Sequence, residues 1–190
     1  NKRLTMEISL VTTNNHKLIE AKLALKQYNI KVTQINDEKI EHKDDTVENT
    51  AKANAELFAN KYNRPVIVED TGIFFEAYPN FPGNNAKLMF NLLNYKGLLK
   101  LLEGESRKAY FKTAIGYCEP GKKPKLFVEE MHGTIAEDVQ DEKKDVLPYE
   151  RIFITNNNIR LSKLTKEEKD KISHRGKAFR VLSAFLHGKE

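Results

Sequence analysis

The chain has 190 residues, is 39% hydrophobic, and carries a formal charge of +5 from 32 basic and 27 acidic side chains. That is enough chain for the core of one domain or of two closely packed lobes, and no apolar run approaches the roughly 20 residues of a bilayer span. The first residues lack the apolar run of a secretory signal, which predicts a soluble cytoplasmic protein with no membrane partner, and a single cysteine, Cys118, excludes an intrachain disulfide and cysteine-rich zinc sites.

In chain order, "MEISLV" alternates as a strand and stops at a polar turn, "TTNN". A one-faced helix follows from about His16 to Tyr28, with Leu18, Ile19, Ala21, Leu23 and Leu25 as its apolar positions and Asn14 or Asn15 as its cap. "IKVTQIN" is a second strand. After the charged stretch "DEKIEHKDD", a helix is predicted from Thr46 to Tyr62, burying Val47, Ala51, Ala55, Leu57 and Phe58. Pro65 to Val68 is rich in β-branched residues and reads as a buried strand ending in two carboxylates, Glu69 and Asp70. "NNAKLMFNLLNYKGLLKLLEG" reads as one helix closed by Gly104, and "KAYFKTAIGYCE", "KLFVEEMHGTIAED" and "ERIFITNN" as antiparallel strands. From Thr165 onward the sequence reads as one final helix, opened by a capping box of Thr165 and Glu168. Alternating β and α elements followed by antiparallel strands make this an α/β fold.

Three segments carry residue types suited to chemistry. "TTNNHK" places Thr12, Thr13, Asn14, Asn15, His16 and Lys17 between a strand and a helix, where free N–H groups and the positive helix end suit a phosphate, although a plain capped turn explains it equally well. Glu69 and Asp70 can hold a divalent cation or deprotonate water, or serve only as turn carboxylates. In the final helix Lys169, His174 and Arg175 offer charge and hydrogen bonds to phosphate oxygens, whereas Lys171 and Lys177 read as basic surface. Nucleic-acid binding is disfavoured, because no recognised module or basic aromatic stripe is present.

Together "TTNNHK", "VEDTG" with "FPG", and "SHRGKA" resemble the motifs of the inosine triphosphate pyrophosphatase family, from Ile8 to about Leu186. The resemblance implies an elongated mixed β-sheet flanked by helices, one domain over 1–190 with a nucleotide cleft between two lobes, and residues 105–155 forming much of the second lobe. It also implies hydrolysis of non-standard purine nucleoside triphosphates such as ITP, dITP and XTP to monophosphate and pyrophosphate, in a homodimer. By position, Thr12 to Lys17, Thr71, Lys87, Lys169, His174 and Arg175 would contact the nucleotide, with Asp70 activating water and helping to hold Mg²⁺. A nucleotide-binding relative with weakened or lost turnover, or a pyrophosphatase with changed base specificity, is the alternative.

Three departures from that family's pattern stand out. Asn54 occupies a position the family usually fills with lysine, and Lys52, two helical residues earlier, points roughly the opposite way. Lys39 stands where the family carries a metal-binding glutamate, so the metal partner is expected to be Glu41, two residues on along a strand, or Glu38 through a bulge, with help from Glu69. The base-binding loop has Leu147, Pro148, Tyr149 and Glu150, losing an aromatic platform and a flexible glycine.

Overall fold

A computed structural model describes residues 5–41 and 46–188. The end of the charged stretch, His42 to Asp45, lies outside the described residues. The elements in order are β1 (Met6–Val11), α1 (Asn15–Lys26), β2 (Ile30–Ile35), α2 (Val47–Tyr62), β3 (Val66–Phe75), β4 (Pro82–Gly83), α3 (Ala86–Lys100), β5 (Lys108–Cys118), β6 (Lys125–Ile135), β7 (Phe153–Thr155), α4 (Lys166–Ile172) and α5 (His174–His187). Among the described residues, seven strands form one mixed sheet in the order β2-β1-β3-β5-β6-β7, with β4 beside β3. β1 runs parallel to β2 and β3, and the remaining pairs are antiparallel.

Strand alternation divides the core between the two faces of this sheet. Ile8, Leu10 and Ile67 face α1 and α5, packing with Leu18, Ala21, Leu25, Phe179 and Leu182. Val66 and Val68 face the other way, onto Ala55, Phe58 and Ala59 of α2. The far halves of β3, β5 and β6 bury Ile73, Phe75, Phe111 and Met131 with Leu98, Leu102 and Phe153. One long sheet thus joins these three apolar clusters.

Several expectations need correction. Ile19 and Leu57 are 42% exposed, because the buried stripes run through Leu18, Ala21 and Leu25 in α1 and through Ala51, Asn54, Ala55 and Phe58 in α2, a helical turn apart. The helix read from "NNAKLMFNLLNYKGLLKLLEG" kinks at Asn94, whose φ of 53° leaves the helical region. The "ER" of "ERIFITNN" belongs to a short 3₁₀ turn over Pro148–Arg151 rather than to β7. The final helix is two helices. Ser173 is extended (φ −72°, ψ 154°), ends α4, and caps α5 by accepting a hydrogen bond from Gly176 N–H at 2.9 Å. Gly176 allows the sharp joint, since a Cβ there would collide with the carbonyl of Asp170.

The correction with most bearing on the site concerns β3. Its parallel pairing with β1 ends at Leu10 and Ile67, but its antiparallel pairing with β5 continues to Phe75. Glu69 and Asp70 therefore lie within the strand, beside the edge that β1 has left. β4 takes up pairing again only at Ile73 and Phe74, where a Cβ on Gly72 would come within 2.7 Å of the Gly83 carbonyl oxygen. The glycine of "VEDTG" lets the two backbones meet, and that of "FPG" takes a left-handed φ of 62°.

Candidate active site

The gap left along β3 opens into a cleft of about 580 Å³, a size suited to a nucleotide. The turn after β1 forms one wall with Thr12, Thr13, Asn14 and Lys17. The segment after β2 forms another with Lys39 and Glu41, and Thr71 and Gly72 line it from β3. Lys87 and Phe90 come from α3, Leu147 to Glu150 from the 3₁₀ turn, and His174 and Arg175 from the start of α5. The structure thus brings together residues from all three sequence segments. Asn14 caps α1 by accepting from Lys17 N–H at 3.2 Å, and its own N–H donates to Thr12 Oγ1 at 3.1 Å, so this turn is shaped by its side chains.

Adjacent strand residues point to opposite faces, so Glu69 and Asp70 are separated by the sheet itself. Glu69 turns toward α1 and α5. Lys17 Nζ lies 3.2 Å and Arg175 Nε 3.5 Å from its carboxylate, and Thr71 Oγ1 donates to it. Burial alone would raise the Glu69 carboxyl, but Arg175, Lys17 and Lys39 outweigh it and hold it well below the carboxylate range. Its commitment to these cations does not match the expectation that it joins Asp70 at a metal.

Asp70 turns toward the α2 side, where Lys39 Nζ donates to Oδ1 at 2.6 Å and to the Glu69 carbonyl at 3.1 Å. Burial would lower the Lys39 ammonium, yet Asp70 and Glu69 more than offset this and raise it. Burial pushes the Asp70 carboxyl up, against the charges of Lys39 and Lys17. Asp70 Oδ2 is buried and has no hydrogen-bond partner among the described residues.

The register argument for Glu41 or Glu38 assumed a strand, but β2 ends at Ile35 and residues 36–41 are irregular. Asn54 shapes this segment. Its Oδ1 accepts from Ile40 N–H and its Nδ2 donates to the Ile40 carbonyl, both at 2.8 Å, as a neighbouring strand would. Lys39 consequently points inward, while Glu41 stays largely exposed 3.5 Å from the ammonium. Lys52 lies on the solvent side of α2.

The other basic residues are also engaged. Lys169 pairs with Glu150 at 2.6 Å and with Glu20, and Arg175 pairs with Glu20 and donates to Thr71 Oγ1 at 3.3 Å. Lys169 and His16 line a smaller adjoining hollow rather than the cleft. Glu20 had escaped the motif reading. Its position three residues after Lys17 on α1 is the available signal, because that spacing shares one helix face. His174 stacks on Phe111, with ring centroids 4.7 Å apart and planes within 6°, and its Nδ1 has no partner among the described residues. Tyr149 OH donates to the Ala86 carbonyl at 2.7 Å, tying the 3₁₀ turn to α3.

These pairings predict a loss of stability in acid. Burial raises the Glu20 carboxyl, but Arg175 and Lys169 dominate and bring it from 4.5 down to about 2. A carboxylate held below its unfolded value stabilises the fold above that value, and the contribution disappears as pH falls from about 4.5 to about 2. His174 adds loss in the same direction. Burial, then Arg175, lowers its imidazole well below 6.5, so the unfolded chain takes up the proton first as pH falls. Urea midpoints measured from pH 8 to pH 3 should decline from near pH 6.5, and a midpoint flat over that range would contradict these assignments.

A family model described as the Ham1 family matches residues 8–185. The chain belongs to the Ham1 family. The dITP/XTP pyrophosphatase of Methanopyrus kandleri is 41% identical over 175 residues, covering 91% of this chain and 92% of that protein. The dITP/XTP pyrophosphatase of Methanosarcina mazei is 40% identical over 184 residues, covering 96% and 98%. Among solved Ham1 structures, the Coxiella burnetii protein superposes with a TM-score of 0.79 at 25% identity, covering 96% of this chain and 99% of that one. The Staphylococcus aureus Ham1 protein gives 0.73 at 26% identity, covering 97% and 100%. The elongated mixed sheet expected from the motifs is the Ham1 fold.

Proposed function

We propose that this protein hydrolyses non-standard purine nucleoside triphosphates, dITP and XTP among them, to the monophosphate and pyrophosphate. The observation that carries the reading is that Lys17, Lys39 and Arg175 line a nucleotide-sized cleft while pairing with the buried Glu69 and Asp70 behind it, in a chain whose full-length relatives bear the name dITP/XTP pyrophosphatase. A triphosphate brings about four negative charges, and catalysis of its cleavage rests on charge stabilisation and positioning. The N–H groups at the start of α1, with Lys17, Lys39 and Lys87, would receive the phosphates. Asp70 Oδ2, free of internal hydrogen bonds, would take the proton of the attacking water. The water oxygen bonds to the first phosphorus, the bond from that phosphorus to the oxygen bridging it to the second breaks, and pyrophosphate leaves with the bridging oxygen.

The base would lie between the 3₁₀ turn and α5, where Phe90, Phe111 and Tyr149 supply apolar walls and His174 Nδ1 an unused polar atom. Leu147 and Pro148 leave stacking to these other rings.

Divalent metal accompanies this chemistry. Asp70 Oδ1, already in contact with a cation, suits one carboxylate bond, with phosphate oxygens and water filling the remaining positions, as Mg²⁺ prefers. Among the described residues, no three His, Cys, Asp or Glu side chains group to form an all-protein metal cage. When bound, Mg²⁺ would be held by Asp70 and the substrate and would offset polyphosphate charge.

A homodimer in the cytoplasm completes the reading. Phe74, Tyr110 and His132 stack across β3, β5 and β6 at 5.0 and 5.1 Å, giving the sheet an aromatic surface through which two copies would associate. Among the described residues no helix is long and apolar enough to cross a membrane.

The test is pyrophosphate release from ITP, dITP, XTP, GTP, ATP, dUTP and CTP with Mg²⁺ present and absent. Metal-dependent release strongest with ITP, dITP and XTP is expected. A folded protein that cleaves none of them would refute the proposal.

A further inference from the structure

The oxygens around Lys39 form a cation site. Its ammonium lies 2.6 Å from Asp70 Oδ1, 3.1 Å from the Glu69 carbonyl and 3.5 Å from Glu41 Oε1. Two carboxylates and a carbonyl are the oxygen types that hard divalent cations select. An ammonium has three donors, and here three oxygens converge on it. Nor is this a loosely draped surface lysine. Its side chain is 14% exposed and that of Asp70 only 5%. The backbone that carries it is fixed one residue away, where Asn54 holds both the N–H and the carbonyl of Ile40.

We propose that Lys39 is the resident cation of the Asp70 site: it holds Asp70 in position and keeps divalent metal out of the free protein, so that metal enters only with the triphosphate. The physical reason is direct. A divalent ion at the free protein would have to displace an ammonium already in contact with Asp70, or sit beside it and meet its repulsion. A triphosphate changes the balance, because it brings enough negative charge for both cations. Lys39 then acts as a positioning residue for the carboxylate. The inference rests on the pyrophosphatase reading only in taking Asp70 as the reacting group.

The experiment is a Mn²⁺ titration followed by electron paramagnetic resonance, which reads free and bound ion without any turnover. Nucleotide-free wild-type protein is expected to show no Mn²⁺ site tighter than millimolar, and one site should emerge when an α,β-methylene triphosphate is added. Lys39→Gln keeps a polar stem without the charge and should bind Mn²⁺ in the absence of nucleotide at least 10-fold more tightly than wild type. Lys39→Arg keeps the charge and should remain as weak as wild type. Micromolar Mn²⁺ binding by nucleotide-free wild-type protein would overturn the proposal, a result that needs no variant to fold. Equal affinity in wild type and a folded Lys39→Gln protein would overturn it as well. Failure to cleave any triphosphate would instead remove the pyrophosphatase reading, and the Mn²⁺ titration would still decide the role of Lys39.

Discussion

Replacing Asp70 by Asn is expected to lower pyrophosphate release about 10²- to 10⁴-fold, the range a positioned acid or base contributes. Asn is nearly the same size, so Lys39 can still donate to its Oδ1 while keeping the Glu69 carbonyl and Glu41 as partners. What disappears is the basic oxygen. Oδ2, buried and without a partner among the described residues, becomes an amide nitrogen that cannot accept a proton. Triphosphate affinity should stay level or rise, because a negative charge facing the phosphates has gone. The signature is therefore a fall in kcat without a rise in KM. A variant that keeps more than a tenth of wild-type kcat would exclude Asp70 as the base.

The second large effect concerns the fold. Arg175→Ala is expected to cost about 3–5 kcal/mol, the penalty for leaving a buried charge without its partner. Arg175 is 3% exposed and joins Glu20, Glu69 and Thr71, three groups on two different elements. Without it Glu69, also 3% exposed, keeps Lys17 as its nearest cation. Such a loss is a large part of the roughly 5–15 kcal/mol that stabilises a typical domain. Urea unfolding should show a lower midpoint at unchanged slope. Arg175→Lys should fall between, since one ammonium cannot fork to reach both carboxylates. A cost below about 1 kcal/mol for the alanine variant would contradict this view of the network.

How far the sequence leads depends on which physical signal each feature leaves. "TTNNHK" is local, and a strand-turn-helix is built from neighbouring residues, so the cleft wall it supplies is legible in the chain. The joint at Ser173 is less so. Apolar spacing continues across it, and the break depends on Gly176 meeting Asp170 from the preceding helix. The extent of β3 is hidden for a different reason. Charges at Glu69 and Asp70 interrupt its apolar run, although their burial is supported by lysines and an arginine distant in sequence. Once the strand is known to continue to Phe75, the opposite facing of the two carboxylates follows from its alternation. Lys39 is the hardest case. Its segment has no regular period, and its direction is set by the Asn54 side chain on α2.

That pairing also changes the meaning of the departures. Asn54 carries no charge, but it places Lys39, which lines the cleft and carries one to the Asp70 carboxylate. Positions 39 and 54, the two departures expected from the motif resemblance, are thus linked in one local structure.

The most direct test of the pyrophosphatase reading is the identity of the products. Phosphorus NMR of dITP incubated with the wild-type protein and Mg²⁺ should show inorganic pyrophosphate and dIMP growing together in equal amounts. Inorganic phosphate with dIDP would mean attack at the terminal phosphorus, and an unchanged spectrum from folded protein would mean binding without turnover; either would contradict the account.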